Sequence, residues 1–206
     1  MTTAILSSAY FAPVQWFQKI NTYQRCLIEH CDTYIKQTYR NRCIIATEAG
    51  RQSLTVPIEH GARSMRDIRI SDHGNWRHLQ WNALVSAYGE SPFFEFYADD
   101  IHPFFERRWD FLFDFNMEIT MKMCELLDIK PNIELTTDYV KDYISTPEDM
   151  MHDFRETINS KHPDKDSDFN PKPYYQVYAR KNGFQPNLSI LDLLFNEGNE
   201  AIYYLS

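Results

Sequence analysis

Seven consecutive residues, Lys36-Gln37-Thr38-Tyr39-Arg40-Asn41-Arg42, gather three cations, two amides and an aromatic ring. Guanidinium forks match the oxygens of phosphate or carboxylate, and a tyrosine face stacks on rings, so the segment has the makings of an anion clamp. The competing use is an ordinary basic edge paired with the protein's own carboxylates, of which there are 29 against 21 Lys+Arg. His78 and His102 supply imidazoles of the kind a general base needs. Asp192 and Asn196 stand one helical turn apart behind Ser189. They can fix ligand hydroxyls, or Asp192 can return a hydrogen bond to the cap backbone from the third helical position.

Two metal-like patterns fail on their chemistry. Asp164, Asp166 and Asp168 alternate as in a calcium loop, but the turn position holds Phe169 instead of glycine, and the bidentate position holds Tyr175. Cys26 and His30, four apart with Cys31 adjacent, could share a helix face, yet no second pair completes a zinc tetrad. No metal and no cofactor is therefore expected. The four cysteines (Cys43 and Cys124 being the other two) contain no C-x-x-C and read as reduced thiols.

Composition narrows the function further. Only 6 glycines are present, and none falls in a phosphate-cradling G-x-G-x-x-G or G-x-x-x-x-G-K-[ST] spacing. A net charge of −8 argues against a broad nucleic-acid surface. No apolar run reaches membrane-spanning length, and the first residues lack a basic leader region, so a cytoplasmic protein with no membrane partner is expected. The 206 residues suit one domain spanning 1–206 that needs no disulfide.

The elements that must position these residues follow from periodicity. Thr2–Ser7 reads as a buried strand, followed by a turn at Ala12-Pro13 and a helix through Trp16, Phe17 and Ile20. Asp32–Thr38 and Arg66–Ile70 alternate like strands. Cys43–Ala46 and Ser53–Pro57 flank a hairpin turn at Glu48-Ala49-Gly50. The middle is helical. Asn75 caps a stripe of Trp76, Leu79, Ala83 and Ala87, Ser91-Pro92 opens a second helix, and Leu112 to Leu127 form the clearest stripe. Thr146-Pro147-Glu148-Asp149 has capping-box residues, and 161–173 is a polar surface loop with three prolines. Tyr174–Tyr178 can return as a strand, and Ser189 caps a last helix ending at Gly198. The fold expected is α/β (mixed α+β), a single compact domain with a central mixed sheet flanked by helices.

Taken in order, these segments resemble the WbqC-like family. Tyr10–Ile20 is similar to its aromatic–proline segment ending in Lys-Ile, and Tyr34–Arg42 to its signature ending in Asn-Arg. Leu54-Thr55-Val56-Pro57 resembles its L-T-[VI]-P strand. Trp76, His78, Tyr88, Pro92 and Phe93, then Asp114 and Asn116, resemble its central helical elements. Phe184–Asn196 resembles the closing F-x-P-x-L-S motif and the helix after it.

The resemblance implies a cytoplasmic protein associated with bacterial surface polysaccharide such as O-antigen, handling a nucleotide-linked amino sugar as its small-molecule ligand. On that reading the chain is a transferase of acyl or aminoacyl groups. Lys36, Arg40 and Arg42 would hold the diphosphate, Tyr10 or Tyr39 would stack on a ring, and Asn41, Asp192 and Asn196 would complete the substrate contacts. His78 would be the general base. The alternative is a non-catalytic binding or assembly protein of the same pathway, its motif residues serving as caps, ion pairs and packing aromatics.

Overall fold

Strand β1 (Thr2–Ser7) carries Ala4, Ile5 and Leu6 wholly out of solvent. A strand apolar on both faces belongs inside a parallel sheet, and that is where the computed structural model, which describes residues 1–161 and 164–206, puts it. On one side β1 pairs in parallel with β2 (Arg25–Glu29), reached through helix α1 (Val14–Thr22). On the other it pairs in parallel with β6 (Met150–Asp153), while β5 (Ile133–Leu135) lies outside β2. The order is β5-β2-β1-β6. A separate antiparallel hairpin joins β3 (Arg42–Thr47) to β4 (Gly50–Thr55), in the register Cys43 opposite Leu54. Gly50 sits in its turn at φ 106°, which a side chain would strain. Parallel and antiparallel pairing are thus divided between two sheets of a single compact α/β domain.

The helical middle runs through α2 (Trp76–Tyr88), α3 (Phe94–Ile101), α4 (Pro103–Glu106) and α5 (Leu112–Leu126). Helices α6 (Ala179–Asn182) and α7 (Ile190–Glu197) complete the chain before a final 3₁₀ segment. Tyr10, Phe11, Phe104, Phe105 and Phe115 form one aromatic cluster, joining the loop after β1 to the helices. The two ends of the chain are stitched together there: Val14 N–H donates to the Leu188 carbonyl at 3.0 Å, and Ile190 N–H to the Ala12 carbonyl at 2.9 Å.

Several expected elements are replaced, each for a local reason. Asp32–Thr38 is a series of turns, closed by the Thr38 hydroxyl donating to the Ile35 carbonyl at 2.8 Å and by Gln37 at φ 63°. The strand lies just before it, in β2. Arg66–Ile70 does alternate, with Ile68 and Ile70 inward, but it forms a 3₁₀ turn at Met65–Asp67 and then only isolated bridges. Thr146–Asp149 is a tight turn into β6, where the Asp149 N–H donates to both the carbonyl and the hydroxyl of Thr146. Tyr174–Tyr178 pairs with no strand. Tyr174 and Gln176 turn inward instead.

Helix α2 is rotated relative to its apolar pattern. Leu79 is 64% exposed, and Gln80 is buried in its place. The buried amide is satisfied on both sides: it accepts from the Tyr10 hydroxyl at 2.7 Å and donates to the Thr55 carbonyl at 2.8 Å. Asn75 precedes the helix without a side-chain cap bond. The polar segment 161–173 is outside any helix or strand where it is described; His162 and Pro163 lie outside the described residues. Its Asp166 is not merely solvated, because it reaches the buried Lys19 ammonium at 2.7 Å and accepts from Gln15 at 2.9 Å. Burial opposes the Asp166 charge, but those partners win and hold its pKa below the usual value.

Candidate functional site

Open α/β sheets bind ligands in the crevice outside the carboxyl ends of their strands, where the strand order changes direction. Here the chain leaves β1 toward β2, while β6 stands on the opposite side of β1. A cleft of about 620 Å³ opens at this end. Cys31, Asp32 and Thr33 line it just after β2, Tyr139, Lys141 and Asp142 after β5, and Asp153, Arg155 and Glu156 at the end of β6. A much smaller cavity shares Arg40 and Arg155 with it and is bounded by Ser7 and Ser8 at the end of β1.

Two buried ion-pair groups build the cleft wall. Arg40 Nη2 donates to the Asp32 carboxylate and, at 2.9 Å, to Ser7 Oγ. Both partners are only 5% exposed, yet Asp32 Oδ1 and Arg40 Nε have no hydrogen-bond partner among the described residues. Burial raises the Asp32 pKa, with the Arg40 charge pulling the other way and losing. In the second group, Arg155 grips Asp153 through Nε at 3.0 Å and Nη2 at 2.6 Å, and Glu29 through Nη1 at 3.1 Å. Tyr139 and Tyr143 flank the guanidinium at 5.3 and 5.2 Å. Fully buried Glu29 also accepts from the Thr136 hydroxyl and the Cys31 N–H, each at 2.8 Å. The two guanidinium groups of the cleft are thus already held by carboxylates.

Of the residues singled out in the sequence, Arg40 lines the cleft and Tyr39 lines the small cavity beside it. Lys36 is exposed on the preceding loop. Asn41 donates to the Val56 carbonyl at 2.8 Å and Arg42 to Thr55 Oγ1 at 3.2 Å, so both serve the hairpin. Tyr10 is fully buried against Phe115, at 5.7 Å between ring centres, which leaves it no face for a ligand ring. Asp192 is also enclosed, and its side chain, unlike its N–H, makes no bond to the cap backbone among the described residues. Its carboxylate accepts from Tyr88 at 2.9 Å, Tyr174 at 2.7 Å and Gln176 at 2.8 Å. Asn196 donates to the Asp192 carbonyl at 2.7 Å. His78 is exposed on α2, 2.9 Å from Asn82, in a separate shallow concavity that includes His102.

The first loop, the cationic segment and the last helix meet largely through main-chain groups. The Tyr10 N–H donates to the Tyr39 carbonyl at 2.9 Å, and the Ser189 hydroxyl to the Phe11 carbonyl at 2.8 Å. Their side chains pack inward instead of sharing a concave surface. Glu29, Asp32, Asp153 and Arg155 were missed. The available signal was an acidic residue closing a short apolar run, as in Cys26-Leu27-Ile28-Glu29, which marks the end of a buried strand. Among the described residues, no group of three or more His, Cys, Asp or Glu is placed to hold a metal ion.

The sequence profile of the WbqC-like protein family matches residues 8–162 and 165–204. The chain belongs to the WbqC-like protein family. The WbqC-like match takes in the carboxyl ends of β2, β5 and β6 together with α7. The chain is also 28% identical over 223 residues to "Uncharacterized protein Rv1507c" of Mycobacterium tuberculosis (strain ATCC 25618 / H37Rv), covering 98% of this chain and 96% of that one. No solved structure matches it. Among the described residues, no helix of this WbqC-like chain is long and apolar enough to cross a membrane.

Proposed function

We propose that this WbqC-like protein is a cytoplasmic enzyme of bacterial surface-polysaccharide synthesis. It transfers an acyl or aminoacyl group to a nucleotide-linked amino sugar bound in the cleft at the carboxyl end of the parallel sheet. The observation that carries this reading is the Asp32–Arg40 pair, buried in the cleft wall with one oxygen and one N–H unpartnered. Unmet buried polar atoms call for an explanation, and a polar ligand is one. The clamp of Lys36, Arg40 and Arg42 is revised: Arg40 belongs to Asp32 and Arg42 to the hairpin, so Lys36 and Lys141 are the cations left for a diphosphate. Asp32 takes over the role of base from His78, and Tyr39 keeps a place beside the bound sugar.

A thermal-shift series against UDP, UDP-glucosamine and UDP-N-acetylglucosamine tests the reading. A ligand at a hundred times its Kd stabilises the folded chain by about 2.7 kcal/mol, which for a domain of this size raises Tm by roughly 5–10 °C. Absence of any shift at millimolar nucleotide sugar would sink it. A non-catalytic binding protein of the same pathway is the second reading. It is favoured by the two guanidinium groups of the cleft, which are already held by carboxylates of the chain itself. Binding without turnover of any acyl donor supports that alternative.

A further inference from the structure

The charges around the cleft are unequal once the internal pairs are set aside. Arg40 is matched by Asp32, and Arg155 by Asp153 and Glu29. The remaining charged groups of the lining are Lys141 against Asp142, Glu156 and Asp164, and none of these four takes part in an ion pair among the described residues. A concave, partly desolvated surface with surplus carboxylates favours a cationic group on its guest. An independent feature sits in the wall below them. Asp32 is only 5% exposed, and its Oδ1 accepts no hydrogen bond among the described residues.

We infer that the cleft seats the free, protonated amine of its ligand against Asp32, with Asp142, Glu156 and Asp164 as the surrounding negative rim and the anionic part of the ligand directed to Lys141. This rests on the amino-sugar reading above and deepens it. An ammonium group offers three N–H donors and a full positive charge, so it satisfies the orphan carboxylate oxygen and the rim together. An amide at the same position keeps one N–H and no charge. The cleft therefore distinguishes the unacylated amine from its acylated form, and acylation of the bound ligand removes the interaction that held it. The reaction that supplies such a ligand is one that leaves a free amine on the ring, by amination of a carbonyl or hydrolysis of an amide.

Isothermal calorimetry with UDP-glucosamine and UDP-N-acetylglucosamine decides the matter. The expected result is tighter binding of the free amine by at least about tenfold, reduced to within about threefold in Asp32→Asn with binding of the acetylated sugar little changed. Because Asp32 is buried, the surface double variant Asp142→Asn/Glu156→Gln provides a second measure, and it should also lower the preference for the amine. Equal binding of the two sugars, or a preference unaltered in both variants, overturns the inference and leaves the proposed function standing. Binding of neither sugar overturns the functional reading itself, and this inference with it.

Discussion

Asp192 is a carboxylate closed into the core and held by two tyrosine hydroxyls and an amide. Burial pushes its pKa up to about 6 despite those three donors. A value above that of the unfolded chain, about 3.9, means that the folded protein binds the proton more tightly. The stabilising linkage is complete below the unfolded value and is lost as pH rises through about 6. Asp192→Asn should therefore flatten the fall in Tm between about pH 4 and pH 6, measured by calorimetry across that range. Arg40→Ala leaves the buried Asp32 charge without its partner and should cost about 3–5 kcal/mol in urea unfolding, part of which Asp32→Asn in the same chain should restore. Neither environment could be read from residue type. The types around Lys36 to Arg42 were legible as an anion clamp, but which carboxylate answers Arg40 depends on a turn that brings Asp32 back onto it. Asp192 likewise looked available because its partners come from Tyr88, about a hundred residues away, and from Tyr174 and Gln176, in a segment whose expected strand turns inward instead.

Helices with long apolar stripes and the hairpin were legible because their patterns are local. Helix α7 also keeps its expected cap, the Ser189 hydroxyl accepting from the Leu191 N–H at 3.3 Å. Since that hydroxyl also donates to Phe11 in the first loop, Ser189→Ala should cost at least the usual ~1 kcal/mol of a lost cap, seen as a Tm lower by roughly 2–4 °C. Gly198 ends α7 at φ 57°, and an added Cβ would come within 2.8 Å of the Phe93 ring. Gly198→Ala should thus destabilise by more than the ~1 kcal/mol of backbone strain alone, as read from urea unfolding. The parallel sheet was the illegible part. Strands β2, β5 and β6 are 5, 3 and 4 residues long, too short for a period to stand out. The pairings of β1 with β6 and of β2 with β5 join segments more than a hundred residues apart, which no window along the chain contains.

At the scale of the whole molecule, the four thiols divide by burial. Cys26, Cys43 and Cys124 are buried, and desolvation pushes each up to about 12, whereas Cys31 is half-buried in the cleft lining. A disulfide reagent such as DTNB should accordingly titrate one thiol in the native protein and all four in denaturant. A ligand in the cleft should slow the first reaction. The sheet order has a consequence for biosynthesis as well. The central strand, β1, is made first, but its β6 neighbour ends at Asp153, and the clamp on the loop behind it comes from Leu188 and Ile190. A nascent chain emerging from the ribosome therefore carries β1 with one flank open until β6 has been made. Folding of the cleft has to await residues as late as Ile190, and until then a chaperone that recognises extended apolar segments has its opportunity at residues 2–7.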